Sequence, residues 1–423
     1  MNYMKVIEEC NKIIPIAIWG SVENCKKIGC VSFGYGENQL NFLGEEIQKF
    51  DDVIDNIWKH RDKSMYYLSR NSIVNYIVKL MKDIHINGID TTIKNIDLQN
   101  DWNYLLNRKM QRYIILYPIY GAIVDQITKI GPFTAYNLNL HKNVFLENIG
   151  ITEEELNDNI LGLQNGESNY LMLPAEAKDG NRAIELTKPY FELFEYAAKF
   201  WLHDSNGFDI GIFRYRERNG CWGYAFSNEE RSGKSFERGT IAEIDIKSII
   251  NSPQRVKFWD MICRCFTRKT TEIENRVINA IKWIGMANSD YSDVNKYIQY
   301  VFALETLLSH NSKEDLINPS IVNQLAEYSA FIIGENADVK KISKRELRQK
   351  IFREVKYIYA NRSKIVHGGD NDLFEKNILF EKDIKTARRF IYTLIACVIQ
   401  NDEILQFNNM ENLRDWVNER KFS

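Results

Sequence analysis

The stretch Tyr357-Ile358-Tyr359-Ala360-Asn361-Arg362-Ser363-Lys364-Ile365-Val366-His367-Gly368-Gly369 ends a helical pattern that begins near Ser343. At roughly 100° per residue, five positions set Arg362 and His367 about 140° apart on an ideal helix. They share no face if the helix runs on unchanged. Gly368-Gly369 supplies the expected stop, because glycine readily adopts the left-handed conformation that ends helices. His367 then occupies the last turn, within reach of Arg362, where the negative helix end favours its protonated form.

An arginine beside a terminal histidine suits cleavage of an RNA phosphodiester. Arg362 can hold a phosphate oxygen bidentately and stabilise charge that builds in the transition state. His367, with an ordinary pKa near ~6.5, can take the proton of a ribose 2′-hydroxyl or give one to the leaving 5′-oxygen. The chemistry requires no metal or other cofactor, and no carboxylate cluster stands in the sequence to bind one.

Working outward, the approach to these residues is basic. From Lys340 to Lys364 there are 10 Lys and Arg against Glu346 and Glu354, a local charge of +8, whereas the whole chain carries -2. Arg353 and Lys356 lie on this approach, and Asn361, Ser363 and Lys364 flank the arginine. A polyanion is drawn to such a segment. The plainer reading is a solvated helix face answered by acids elsewhere.

Helical periodicity extends to both sides. After Pro253 it predicts a long amphipathic helix over Phe258–Ala287, then helices over Val294–Ser309, Pro319–Ile333, Ser343–His367 and Lys382–Asn401. In the last of these, Phe390, Leu394, Cys397 and Val398 form an apolar face, able to complete a bundle or to serve an interface. A boundary is expected near Asn251–Gln254, giving a mixed α+β region over 1–253 and an all-helical domain over 254–423. The class is therefore α+β, predominantly helical.

The N-terminal region reads less clearly. Met1 to about Leu43, with Gly20, Gly29, Gly34 and Gly36, suggests irregular or β structure. Helical spacing is expected over Glu45–His85, over Trp102–Ile127 with a kink at Pro118, from Thr152 to Asn165, and over Thr187–Leu202. The period then changes to two. Phe213–Arg218, Asn219-Gly220 and Cys221–Phe226 read as a hairpin, because a type I′ turn needs positive φ at both central positions. That register pairs Phe213 with Phe226 and Tyr215 with Tyr224. One face is aromatic and the other carries Arg214, Arg216 and Arg218. Such a row either grips phosphates or is the solvated side of a sheet.

Other chemistry finds no support. Ser232-Gly233-Lys234-Ser235 lacks the glycine that a phosphate loop needs, since Asn228 stands five positions before Gly233. His60, His85, His141, His203 and His310 are scattered. The seven cysteines form no C-x-x-C pair and read as reduced, buried thiols. No basic start leads into an apolar run, and Phe390–Ile399 is too short to span a bilayer, which takes ~20 residues. The expectation is a soluble cytoplasmic protein.

The segment Asn361–Gly369 resembles the signature of the Apea-like branch of the HEPN superfamily. So does Tyr300-Val-Phe-Ala-Leu-Glu305-Thr-Leu-Leu308, and Leu325–Ile333 and Lys382–Gln400 fit in order and spacing. The similarity covers about Trp283 to Asn401. It implies a helical bundle that forms a homodimer with two motifs facing one cleft, and metal-independent RNA cleavage in anti-phage defence or as a toxin. Arg362 and His367 take the two catalytic roles. Ser363 stands where many members carry Asn, Asp or His. Gly369 replaces a tyrosine that another branch uses for modification. Glu305 is either a support of the site or an ordinary polar position. The N-terminal region would sense a trigger or restrain the nuclease. The other reading is a non-catalytic HEPN scaffold for dimerisation or RNA binding.

Overall fold

The computed structural model describes residues 2–20, 30–34, 39–59, 65–150, 152–154, 168–202, 208–214, 221–226, 231–236, 242–267, 269–290, 292–310, 320–336, 343–368 and 377–422. For residues 59, 221–226, 231–236, 336, 367, 368, 377–379 and 422, the backbone alone is described. The chain divides into two compact units, Met1–Ile115 with Leu173–Pro189 and Leu116–Met172 with Tyr190–Ser423.

The first unit opens with α1 (Tyr3–Asn11), where irregular or β structure was expected. Its N-cap is Asn2, whose side chain accepts the Lys5 N–H at 3.0 Å. The strands β1 (Ile18–Trp19), β2 (Cys30–Phe33) and β3 (Leu40–Leu43) form an antiparallel sheet in the order β1-β3-β2. The helical spacing over Glu45–His85 resolves into α2 (Glu45–Lys59) and α3 (Arg70–Asn87), followed by α4 (Ile89–Ile93) and α5 (Ile96–Asn107). Val6, Ile7, Phe42, Phe50, Ile54, Ile77, Leu80 and Trp102 are buried in one core. Full burial of such side chains contributes about 1.5–3 kcal/mol each.

The helix expected over Trp102–Ile127 stops at Asn107, and β4 (Gln111–Pro118) follows. Tyr113, Ile114, Ile115 and Tyr117 suit a strand, and its pairing takes over from helical spacing. Next come β5 (Ala122–Ile123), β6 (Thr128–Ile130), β7 (Phe133–Asn137), α6 (Leu138–Ile149), β8 (Asn169–Ala177) and α7 (Gly180–Trp201). The sheet order is β4-β8-β7-β6. Of the helix expected from Thr152 to Asn165, only 152–154 are described. In the first unit, Asp179 caps α7: its Oδ1 accepts the Arg182 N–H at 2.8 Å, and its Oδ2 accepts the Ser69 N–H at 2.9 Å.

The expected hairpin is displaced by one strand. Cys221–Phe226 does form a strand, β9, but it pairs antiparallel with β10 (Arg231–Phe236), Phe226 lying opposite Arg231. Phe213 and Arg214 instead donate their backbone N–H groups to the Glu195 carboxylate, at 3.1 and 2.8 Å. A buried carboxylate needs donors, and these two outbid a ladder. Tyr215, Arg216, Arg218, Asn219 and Gly220 lie outside the described residues. Ser232–Ser235 falls inside β10, not in a loop that opens a helix. The short β11 (Ile244–Asp245) pairs parallel with β5.

The rest of the chain is helical: α8 (Pro253–Arg264), α9 (Glu272–Ser289), α10 (Asp293–Leu308), α11 (Ile321–Asn336), α12 (Lys344–Gly368), α13 (Asn377–Gln400), α14 (Asp402–Leu405) and α15 (Met410–Phe422). The single helix expected over Phe258–Ala287 is two. Thr271 ends the gap with a reciprocal capping box to Glu274, at 3.0 and 3.1 Å. Phe390, Leu394 and Val398 are buried, so this face of α13 completes the bundle within the chain.

The expected boundary near 251–254 falls inside the second unit. Helix α7 explains this, because its aromatic face packs across the proposed line. Phe194 lies 5.1 Å from Trp259, Phe200 stacks on Phe258 at 5.3 Å and on Tyr392 at 4.5 Å, and Gly285 of α9 admits the Tyr196 ring. A buried amide joins three helices. Asn288 of α9 donates to Tyr392 of α13 at 2.7 Å and accepts from Tyr300 of α10 at 2.8 Å.

Among the described residues no helix is long and apolar enough to cross a membrane. Cys10, Cys263, Cys265 and Cys397 are not disulfide-bonded. Cys30, read from sequence as reduced, is disulfide-bonded to a cysteine outside the described side chains.

Candidate functional site

Helix α12 carries the residues singled out by sequence. Ser343 caps it: its hydroxyl accepts the Glu346 N–H at 3.2 Å, and Glu346 accepts the Ser343 N–H at 3.3 Å. Ile351, Val355 and Ile358 form its buried stripe. Arg362 stands four positions beyond Ile358 and seven beyond Val355, so it falls on the same stripe. This placement makes it half-buried at the edge of the bundle.

Two hydroxyls pin the helix here. Tyr297 of α10 is buried and donates to the Ile358 carbonyl at 2.8 Å. Tyr357 donates to Asp383 of α13 at 2.7 Å. Burial pushes the Tyr297 hydroxyl pKa up, against the opposing pull of the Asn361 amide. For Tyr357 the Asn361 amide is the largest influence and pulls downward, but Asp383 and burial together leave the pKa raised. Asn361 thus sits between the two phenols, and its Nδ2 is buried without a geometrically sound hydrogen bond.

Arg362 meets a different pair. Its guanidinium carbon lies 5.7 Å from the centroid of the Tyr359 ring. Burial and then the neighbouring Glu305 carboxylate of α10 push the Tyr359 hydroxyl pKa up, while Arg362 pulls it down. Glu305 therefore belongs to the surroundings of the arginine through Tyr359. Among the described residues the Arg362 Nε is buried and has no hydrogen-bond partner. Sequence reasoning passed over Tyr359 and Tyr297. Tyr359 stands one turn before Arg362, and that i,i+3 spacing was the available signal.

The helix runs unbroken through His367 and ends at Gly368. The two backbone positions are thus separated by about 140° around the axis. The His367 side chain lies outside the described residues. Continuing back along the exposed face from His367 at steps of three and four come Lys364, Ala360, Lys356 and Arg353. Lys364, Lys356 and Arg353 are exposed, as is Ser363. None of the three cations makes an ion pair among the described residues, and Lys356 lies 4.6 Å over the Phe352 ring.

The acids that answer the basic segment act at its start. Glu335 of α11 pairs with Lys344 at 3.0 Å and with Arg348 at 2.5 Å. Lys340 and Lys341 lie outside the described residues. Lys344 and Arg348 are thus paired, whereas Arg353, Lys356 and Lys364 make no ion pair among the described residues.

Of the arginine row expected on the hairpin, only Arg214 is described. It is held by acids, 3.3 Å from Glu192 and 3.9 Å from Glu195, with its guanidinium 4.9 Å over the Tyr196 ring. This residue is anchored into the second unit and does not present an open phosphate grip. Among the described residues no three His, Cys, Asp or Glu side chains gather to hold a metal ion. The chain matches no protein-family model, no curated protein and no solved structure.

Proposed function

We propose that this protein is a metal-independent endoribonuclease of the HEPN type, a cytoplasmic effector of anti-phage defence or a toxin. The observation that carries this reading is Arg362. It is a half-buried guanidinium with no carboxylate partner among the described residues, five positions before a histidine at the end of a helix whose open face is cationic. An arginine at a bundle edge is ordinarily neutralised; one left open is set to receive an anion.

In this reading the 2′-hydroxyl attacks the adjacent phosphorus, and a new O–P bond forms as the bond to the 5′-oxygen breaks. One histidine accepts the 2′ proton and another donates to the leaving oxygen. Each chain offers one His367, so the pair comes from a homodimer through the C-terminal helical region, with two motifs facing a shared cleft. Arg362 holds the phosphate as its charge grows. Tyr359 and Glu305 fix the arginine, and Asn361, Ser363, Lys364, Arg353 and Lys356 support or guide the RNA. The trigger of such an effector is a phage-derived or other regulatory partner acting through the remainder of the chain.

Cleavage of single-stranded RNA in excess EDTA tests the reading. The expected product ends in a 2′,3′-cyclic phosphate, and strict dependence on added magnesium would refute the chemistry. A non-catalytic scaffold is the second reading. It is favoured by the position of Arg362 on the buried stripe of α12, away from the face of His367. In that case Arg362→Ala would destabilise the fold and the wild-type chain would cleave nothing.

A further inference from the structure

A groove between α11 and α12 is untouched by the reading above. It encloses 720 Å3, with Ala330, Phe331 and Phe352 among its walls and Arg345, Arg348 and Arg353 along its length. The arrangement is built. Gly334 leaves room for the Arg348 stem, since any side chain there would meet it at 2.9 Å. Arg348 lies over Phe331, its guanidinium carbon 4.1 Å from the ring centroid, and pairs with Glu335 through one terminal nitrogen. Its Nε is buried and meets no hydrogen-bond acceptor among the described residues.

The charge around this groove is unbalanced. Glu335 is already shared by Lys344 and Arg348, and Glu327 pairs with Lys421 at 2.5 Å. Arg345 and Arg353 are exposed and make no ion pair among the described residues. What fits is an anion joined to something flat and apolar. A simple inorganic ion would leave Ala330 and the groove side of Phe352 without a partner, Lys356 being over that ring but not in the groove wall, and an alkyl chain would leave the arginines unused. The volume lies within the ~300–1,000 Å3 usual for small-molecule sites.

We infer that this groove binds an unpaired base of a single-stranded RNA, stacked against Phe352 and the Phe331–Arg348 pair, with the adjoining phosphates on Arg345 and Arg353. Bases stack on aromatic rings and on guanidinium planes alike. From Arg353 the exposed stripe passes Lys356 and Lys364 to His367, about 21 Å along the helix at 1.5 Å per residue. The inference rests on the nuclease reading and adds to it. The enzyme would select single-stranded RNA because a base must leave the stack upstream of the cleaved bond, and duplex bases are not free to do so.

The test is binding, read apart from cleavage. The full chain carrying His367→Ala is titrated into a short fluorescein-labelled single-stranded RNA, its abasic counterpart and a duplex, by anisotropy. Phe352→Ala in that background should weaken the single strand roughly tenfold, since one stacked base is worth about 1–3 kcal/mol. Phe352→Leu keeps the apolar volume, guards against misfolding, and should show the same direction of loss. The abasic strand and the duplex should bind weakly and be indifferent to either change. Arg345→Gln with Arg353→Gln should reduce the salt slope by about 1.4, at ~0.7 per phosphate on a single strand. Unchanged affinity in Phe352→Leu, equal binding of the abasic strand, or equal binding of a glutamate-rich peptide would overturn the inference. If the wild-type chain binds as expected but cleaves nothing, the nuclease reading fails and the groove stands. If it cleaves normally and Phe352 does not matter, the groove alone fails.

Discussion

Arg362 and Tyr359 are neighbours one turn apart on α12, with the guanidinium carbon 5.7 Å from the phenol ring centroid. A cation over a ring uses the face of the guanidinium and leaves its N–H edge available. Such a contact is worth about 0.5–1 kcal/mol when exposed and about 2 when desolvated. The ring thus steadies the arginine without consuming the donors that a phosphate would take.

Replacing Arg362 by Ala should lower single-turnover cleavage by roughly 10²–10³, the usual loss when one transition-state donor is removed. Lys should rescue little, because an ammonium lacks the bidentate fork. No ion pair is lost in either variant, so urea unfolding should move by less than about 1 kcal/mol. Wild-type rates in Arg362→Ala would remove the catalytic assignment.

Tyr359→Phe keeps the ring under Arg362 and loses only the hydroxyl beside Glu305. Tyr359→Ala loses both. The first should cleave nearly as the parent does, and the second should fall by roughly 100-fold, as misplacement of a catalytic group allows. Equal rates in parent and Tyr359→Ala would show that the ring does not position the arginine.

Tyr297 makes a prediction about pH. Burial raises its pKa in the folded chain above the ordinary tyrosine value. The native state then keeps a proton that the unfolded state releases. Its contribution is fully present below about pH 10 and is lost as pH rises further. Tyr297→Phe should cost about 1 kcal/mol near neutral pH by orphaning nothing but removing one buried hydrogen bond. The gap between parent and variant should close above pH ~10 in urea titrations. A constant gap would contradict the raised pKa.

Lys199 is 2% exposed and pairs with Asp209 at 2.8 Å, with Glu195 at 3.8 Å. Lys199→Met removes the buried cation from Asp209 and leaves Glu195 with Arg214 at 3.9 Å, and should cost about 3–5 kcal/mol. Adding Asp209→Asn should recover part of that loss. Denaturant melts of the single and double variants measure both effects.

The proposed dimer would use surface that the fold leaves outside. Phe390, Leu394 and Val398 are inside the bundle, whereas Val366 is 48% exposed beside the motif. Val366→Asp should halve the mass seen by light scattering at micromolar concentration and abolish cleavage together with it. A strict monomer that cleaves at full rate would dismiss the two-histidine site.

What could be read without coordinates was local. A helix satisfies its own N–H and C=O groups four residues apart, so spacing in the sequence carries its evidence. Most of the C-terminal helices and the stop at Gly368 were legible for that reason. Helix breaks were not all visible: the gap between Arg264 and Glu272 interrupts a pattern that continues on both sides.

Tertiary structure decided everything that depends on a distant partner. Cys221–Phe226 has the alternation of a strand, but strand hydrogen bonds go to another segment, and Arg231–Phe236 was that segment. Tyr113–Tyr117 read as helix until a sheet claimed it. The boundary expected near residue 253 falls within one compact unit, where the aromatics of α7 pack on α8. At the site, the sequence by itself supplied Arg362, His367 and the cationic face of α12. The i,i+3 spacing already held Tyr359 beside the arginine, whereas only the fold brought Glu305 to that pair and Phe331 under Arg348. Neighbours across a bundle are separated by tens of residues, and no period along the chain encodes which of them meet.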